Sequence, residues 1–216
     1  MSRPLIISDC DEVLLYMVAH FRDWLGEEEG IDFDLAGGNF AQSMRYRETG
    51  ELVEVQVMHK LLNRFFDGQM HRQTPVAGAV DAVRELTRHA DMVVLTNLLD
   101  FRKEARTRQL ADHGIDLKVY TNQGPKGPAL KAILDEYRPS TALFIDDIAQ
   151  HHDSVSAEAP HVSRLHMCAE PTVAKHIDCA HEAGCAHARI DDWQSAVPWL
   201  LNRLQRQDQD EETETS

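Results

Sequence analysis

Short unbroken apolar runs occur at Leu5-Ile6-Ile7-Ser8, Met92 to Leu95, Leu143 to Ile145 and, less cleanly, Val162 to Met167. Runs this short and without polar alternation read as strands buried on both faces, the pattern of a parallel sheet. Between them the apolar spacing lengthens to that of helices. Val76, Val80, Val83 and Leu86 mark a helix over Val76 to His89 that feeds the second strand. Phe101 to His113 reads as a helix closed by Gly114, and Gly127 to Tyr137 as one stopped by Pro139. Further helices are predicted from Pro171 to about Glu182 and from Asp192 to Leu204. This alternation predicts an α/β fold, a Rossmann-like parallel sheet with helices on both faces.

The stretch 15–73 breaks the alternation. Leu14, Leu15, Val18, Phe21 and Leu25 share one helical face, Gly37-Gly38 interrupts, and Leu52, Val55, Met58, Leu61, Leu62 and Phe65 share another. A small helical insertion directly after the first strand is therefore expected, with a core formed by 1–14 and 74–206. Such a unit either covers the strand ends and excludes water, or packs on a sheet face.

Composition narrows the class. A 43% hydrophobic share over 216 residues supports a real core in one large domain or a domain with an insertion. The formal charge of −14 includes five acids between Gln207 and Ser216, a stretch without apolar periodicity that reads as a disordered acidic tail, 207–216. No Lys/Arg run is long enough to follow a phosphate backbone, which argues against nucleic acid. No segment approaches the ~20 apolar residues of a membrane span, and the N-terminal run is broken by Asp9, Asp11 and Glu12, unlike a signal peptide. Residence in the cytoplasm is the expectation, with four cysteines as free thiols.

Candidate chemistry lies at the strand ends. Asp9 and Asp11 follow the first run, and two carboxylates ~4 Å apart would repel by roughly 4 kcal/mol at an effective dielectric near 20. A divalent cation between them is the economical remedy. Thr96-Asn97 follow the second run, Lys126-Gly127 open a helix, and Asp146-Asp147 follow the third. A nucleophilic carboxylate, a second one for proton transfer, a small hydroxyl with amide donors, a fixed cation and an acidic pair for metal are what phosphoryl transfer through an aspartyl-phosphate needs.

In these four motifs, Leu5 to Leu14 with Asp9 and Asp11, Val93 to Asn97, Lys126, and Phe144 to Asp147, the chain resembles the haloacid dehalogenase-like superfamily. The insertion lies where that family carries its helical C1 cap, so the resemblance implies a cap at 15–73. It also implies a Mg²⁺-dependent phosphatase of a small phosphorylated metabolite, with Asp9 as nucleophile and Asp11 as general acid, then base. Asp9, the Asp11 carbonyl and Asp146 would hold Mg²⁺, with Asp147 direct or through water. Thr96 and the Asn97 amide would bind phosphoryl oxygens, and Lys126 would pair with Asp9. A phosphotransferase such as a sugar phosphomutase would share these residues, and a non-catalytic binding protein could retain the fold. A dehalogenase needs neither Asp11 nor a metal pair. The chain departs from the family at Glu12, where many members have glycine.

Other features read more plainly. Arg45, Tyr46 and Arg47 could grip the leaving group of an anionic substrate. Cys179-Ala-His181 and Cys185-Ala-His187 supply zinc-ligand residue types at a spacing wrong for common fingers, so the cysteines read as small buried residues. His151-His152, one turn after the acidic pair, could support that pair or meet substrate, but read first as an exposed helical face.

Overall fold

A computed structural model of the chain describes residues 2–35 and 40–214, with side chains through Gln205. Six parallel strands form one sheet, β1 (Leu5–Ser8), β4 (Asp91–Thr96), β5 (Lys118–Thr121), β6 (Ala142–Asp146), β7 (Ser163–His166) and β8 (Ala188–Arg189), in the order β5-β4-β1-β6-β7-β8. Ile7 sits opposite both Val93 and Phe144, which places β1 at the centre. The two-residue side-chain period then sorts the apolar runs onto two faces. Ile6, Met92, Val94, Leu143 and Ile145 pack against α3 (Ala79–Leu86) and α8 (Trp193–Glu214), through Leu86, Trp193 and Leu200. Leu5, Ile7, Val93, Leu95 and Phe144 pack against α5 (Gly127–Tyr137) and α6 (Ala149–Glu158), through Leu130, Ile133 and Val155. Between β4 and β5 runs α4 (Lys103–Asp112). No described helix is long and apolar enough to cross a membrane.

Between β1 and α3 the chain builds a unit with its own core. It comprises α1 (Val18–Trp24), which continues as a wider turn over Leu25–Glu29, a hairpin of β2 (Ile31–Phe33) and β3 (Met44–Tyr46), and α2 (Val55–Gly68). Phe21, Trp24, Phe33, Met58, Leu61 and Phe65 fill it, with the Phe21 and Phe65 rings edge-to-face at 5.4 Å. The outgoing and returning linkers run side by side. Tyr16 N donates to Thr74 O and Val76 N to Leu14 O, each at 2.9 Å.

Several expectations change here. The insertion is not purely helical, because Ile31–Phe33 and Met44–Tyr46 pair as an antiparallel hairpin. Leu14 and Leu15 belong to the linker and are buried in the sheet core, not on α1. Leu52 and Val55 are 46% and 49% exposed, so the buried stripe of α2 begins at Met58. The helix after Met167 is one turn, α7 (Pro171–Ala174). The helix α8 runs through Glu214, so residues 207–214 are helical where a disordered tail was expected; propagation from a packed helix is cheap, and Gln and Glu are good helix formers. Thr215 and Ser216, and the Gly37-Gly38 break, lie outside the described residues.

Candidate active site

The carboxyl ends of β1, β6 and β4 bring the predicted residues together. Asp9 continues β1, its amide donating to Ile145 O at 2.8 Å, and the chain then turns sharply as Leu14 N and Leu15 N both donate to Cys10 O. Asp146 ends β6, one strand away. Lys126, on the residue before α5, reaches between them: its Nζ lies 2.7 Å from Asp9 Oδ1 and 2.7 Å from Asp146 Oδ2, and the lysine is fully buried. Carboxylate oxygens of Asp9, Asp146 and Asp147 all lie within 4.8 Å of one another.

A buried charge persists only when paired. Burial works against the Lys126 charge, yet Asp146 and Asp9 together lift its pKa above the ordinary lysine value. Burial raises the Asp9 carboxyl, Lys126 opposing and Asp146 adding to it. Asp147 is pushed well above the carboxylate range, by burial first and then by Asp9 and Asp146. Three acids thus face one ammonium. The donor set is all hard oxygen, and the surplus negative charge suits a divalent cation of the Mg²⁺ or Ca²⁺ kind.

On the other side of β1, Thr96 ends β4 at the same sheet edge and is buried. Asn97 spends its side chain on the loop ahead of Lys126. Its Nδ2 donates to Gly124 O at 3.0 Å, and its Oδ1 accepts from Asn122 Nδ2 at 2.9 Å, while Asn122 N donates to Thr96 O. The second motif is thereby tied to the loop that aims the lysine.

No family model matches the chain, and no curated protein sequence matches it. Solved structures do. A hydrolase of the family from Deinococcus radiodurans, holding phosphate and sodium, superposes with a TM-score of 0.65 at 15% identity over 90% of this chain and 93% of its own. The haloacid dehalogenase-like family protein SP0104 of Streptococcus pneumoniae gives 0.63 at 10% identity over 92% and 98%. YfnB of Bacillus subtilis, crystallised with magnesium, gives 0.60 at 15% over 93% and 99%. The chain has the haloacid dehalogenase-like fold.

Within that fold the structure settles where Glu12 and His152 point, and shows Arg106, Gln73 and His166, which escaped the sequence. Glu12 adopts φ +60°, the left-handed region that favours glycine, and its side chain reaches the start of α1, where Oε1 accepts from Met17 N at 2.9 Å and Val18 N at 2.6 Å. Burial pushes its carboxyl up to about 7, the two amides opposing. Arg106 of α4 is fully buried and donates from one nitrogen to both Asp11 oxygens, at 3.0 and 3.1 Å. Gln73, on the returning linker, adds a third bond to Asp11 at 2.7 Å. His152 and His166 donate from Nε2 to the carbonyls of Asp146 and Asp147, at 2.9 and 2.8 Å.

Two readings are corrected by these contacts. His151 and His152 are buried, not exposed, because α6 presents this turn to the sheet; burial holds the His152 ring neutral, its pKa down to about 3. Cys185 is partly exposed, 3.6 Å from Asp153, and the His181 and His187 Nδ1 atoms are taken by backbone groups. Among the described residues, the group that could hold a metal is Asp9, Asp146 and Asp147. Arg45 and Arg47 are exposed on the β2–β3 hairpin: Arg45 bonds Gly50 O, and Arg47 bonds Asp32 and Gly26 O. No described contact joins them to the carboxylates.

Proposed function

We propose that the protein is a Mg²⁺-dependent phosphatase of a small phosphorylated metabolite, working through a phosphorylated Asp9. The observation that carries this reading is the buried Lys126 ammonium shared by Asp9 and Asp146, with Asp147 in the same cluster. Phosphate in the Deinococcus radiodurans structure and magnesium in that of YfnB support it. An Asp9 oxygen attacks phosphorus as the ester bond to the leaving oxygen breaks, and Asp11 gives that oxygen its proton. Asp11 then takes a proton from the attacking water, the Asp9–phosphorus bond breaks, and phosphate departs. Lys126 neutralises charge on the equatorial oxygens, while Thr96 and the Asn97 amide orient them. Asp9, Asp146 and the Asp11 carbonyl would hold Mg²⁺, with Asp147 direct or through water, and the ion would supply the remaining positive charge.

Residues 16–72 act in this reading as a cap, since both linkers leave the core beside Asp11. Arg45 and Arg47 belong to that unit and would meet the leaving group. Hydrolysis of an aryl phosphate that needs Mg²⁺ and vanishes in Asp9→Asn is the expected result. Phosphate passed to an added sugar phosphate in preference to water would move the assignment to a phosphotransferase. No turnover over a broad phosphate panel would overturn it in favour of a binding protein.

A further inference from the structure

Arg106 is an unusual presence in a core. Its guanidinium is inaccessible to solvent and works in three directions: Nη2 on both oxygens of Asp11, Nη1 on Cys10 Sγ at 3.3 Å, and Cζ over the Phe66 ring of α2, 5.8 Å from its centroid. Its Nε has no partner among the described residues. Gln73 approaches Asp11 from the other element packed there, and Gln73 is itself held, since His113 Nε2 donates to its carbonyl at 3.1 Å and Gln109 meets its side chain at 3.5 Å. Asp11 is therefore not a free carboxylate at a turn. Three donor contacts from two separate elements fix its plane, and one of those elements is the linker by which residues 16–72 return to the core.

A buried cation that serves only to fill space would be replaced by an apolar side chain at no loss, because desolvating a guanidinium is expensive. One aimed at the proton-transfer group has a reason to stay. We propose that Arg106, assisted by Gln73, is a positioning residue that sets the orientation of Asp11 for proton delivery to the leaving oxygen. This inference rests on the phosphatase reading above. It acts on the first half-reaction, in which the ester P–O bond breaks, the Asp9–phosphorus bond forms and the Asp11 proton goes to the departing oxygen. A leaving group that departs as a stable anion needs no such proton; an alcohol does. Lysine cannot replace Arg106 fully, since one ammonium cannot serve the Asp11 carboxylate and Cys10 in the same planar geometry.

The test compares kcat/KM, which reports steps through phosphoryl transfer to Asp9, for β-glycerophosphate and for 2,4-dinitrophenyl phosphate with Mg²⁺ present. Arg106→Lys and Arg106→Gln should lower the value for the alkyl ester by about 10²-fold, the lower range of general-acid effects, and leave the dinitrophenyl ester and inhibition by inorganic phosphate little changed. Gln73→Leu should show the same pattern more weakly, and it carries the test alone if the Arg106 variants do not fold. Equal losses on both esters, or wild-type behaviour of all these variants beside a leaving-group-dependent Asp11→Asn, would overturn the inference and leave the phosphatase reading standing. A wild-type protein inactive on both esters and across a broad phosphate panel would overturn the two together.

Discussion

Glu12 accepts a hydrogen bond from the Val18 amide at 2.6 Å, so a residue in the turn after β1 caps the first helix of the inserted unit. The cap offsets a cost, because Glu12 holds φ +60°, where a side chain is strained by roughly 1–2 kcal/mol. Glycine at this position would lose the cap, worth about 1 kcal/mol, and recover a similar amount of backbone strain. Alanine would lose the cap and keep the strain. Urea unfolding should therefore place Glu12→Gly close to wild type and Glu12→Ala about 1 kcal/mol below it. The reverse order would mean that the turn is not strained.

Gly127 is demanded by packing. A Cβ there would stand 2.5 Å from Ser154 O and 2.6 Å from Ser154 Oγ, both on α6, and the Gly127 amide already donates to that hydroxyl at 3.0 Å. Helix α6 cannot retreat without disturbing Val155 in the sheet core. Gly127→Ala should cost about 1–3 kcal/mol as overpacking. It should also reduce turnover beyond what the stability loss explains, because Lys126 is the adjacent residue. Unfolding curves and activity measured on the folded fraction separate the two effects.

The excess of acids around Lys126 predicts stabilisation by divalent cations. At ten times its dissociation constant an ion that binds only the folded state adds about 1.4 kcal/mol. For a domain of this size that raises Tm by roughly 3–6 °C. The wild-type protein should show this rise with Mg²⁺ and lose it on chelation, whereas Asp146→Asn should melt at the same temperature with and without the ion. A rise that survives Asp146→Asn would place the cation elsewhere.

The candidate edge was legible in the sequence because its signals are local: an apolar run followed by an acid at Asp9 and again at Asp146, a third run followed by Thr96-Asn97, and Lys126 before a helix. What was hidden depends on contacts between distant segments. Arg106 and Gln109 are buried on α4 in a helix so polar that its apolar stripe is nearly absent, so no pattern marks which face is inside. His152 and His166 act through backbone carbonyls, which leave no mark in a side-chain pattern. Strand β5 was missed because Lys118-Val119-Tyr120-Thr121 is a half-exposed edge strand with one buried residue. The β2–β3 hairpin has strands of three residues, too short for a period to emerge.

Asn97 offers the last separation, between a side chain and its own amide. Its carboxamide is spent on Asn122 and Gly124, so only the backbone amide is left for phosphoryl oxygens. Asn97→Ala keeps that amide and should weaken function only through the loop before Lys126. Asn122→Ala removes the same link from the other side, and each should cost about 1 kcal/mol in kcat/KM and in stability, the net worth of one hydrogen bond. Both changes delete the Asn97–Asn122 bond, while Asn97 also loses Gly124 O and Asn122 loses Gly124 O and Pro125 O, so the double variant should lose less than the sum of the single losses, by a coupling of about 0.5–1.5 kcal/mol. Additive losses would show that Asn97 and Asn122 act separately, and a loss in Asn97→Ala as large as that in Thr96→Ala would show that the Asn97 side chain meets the substrate itself.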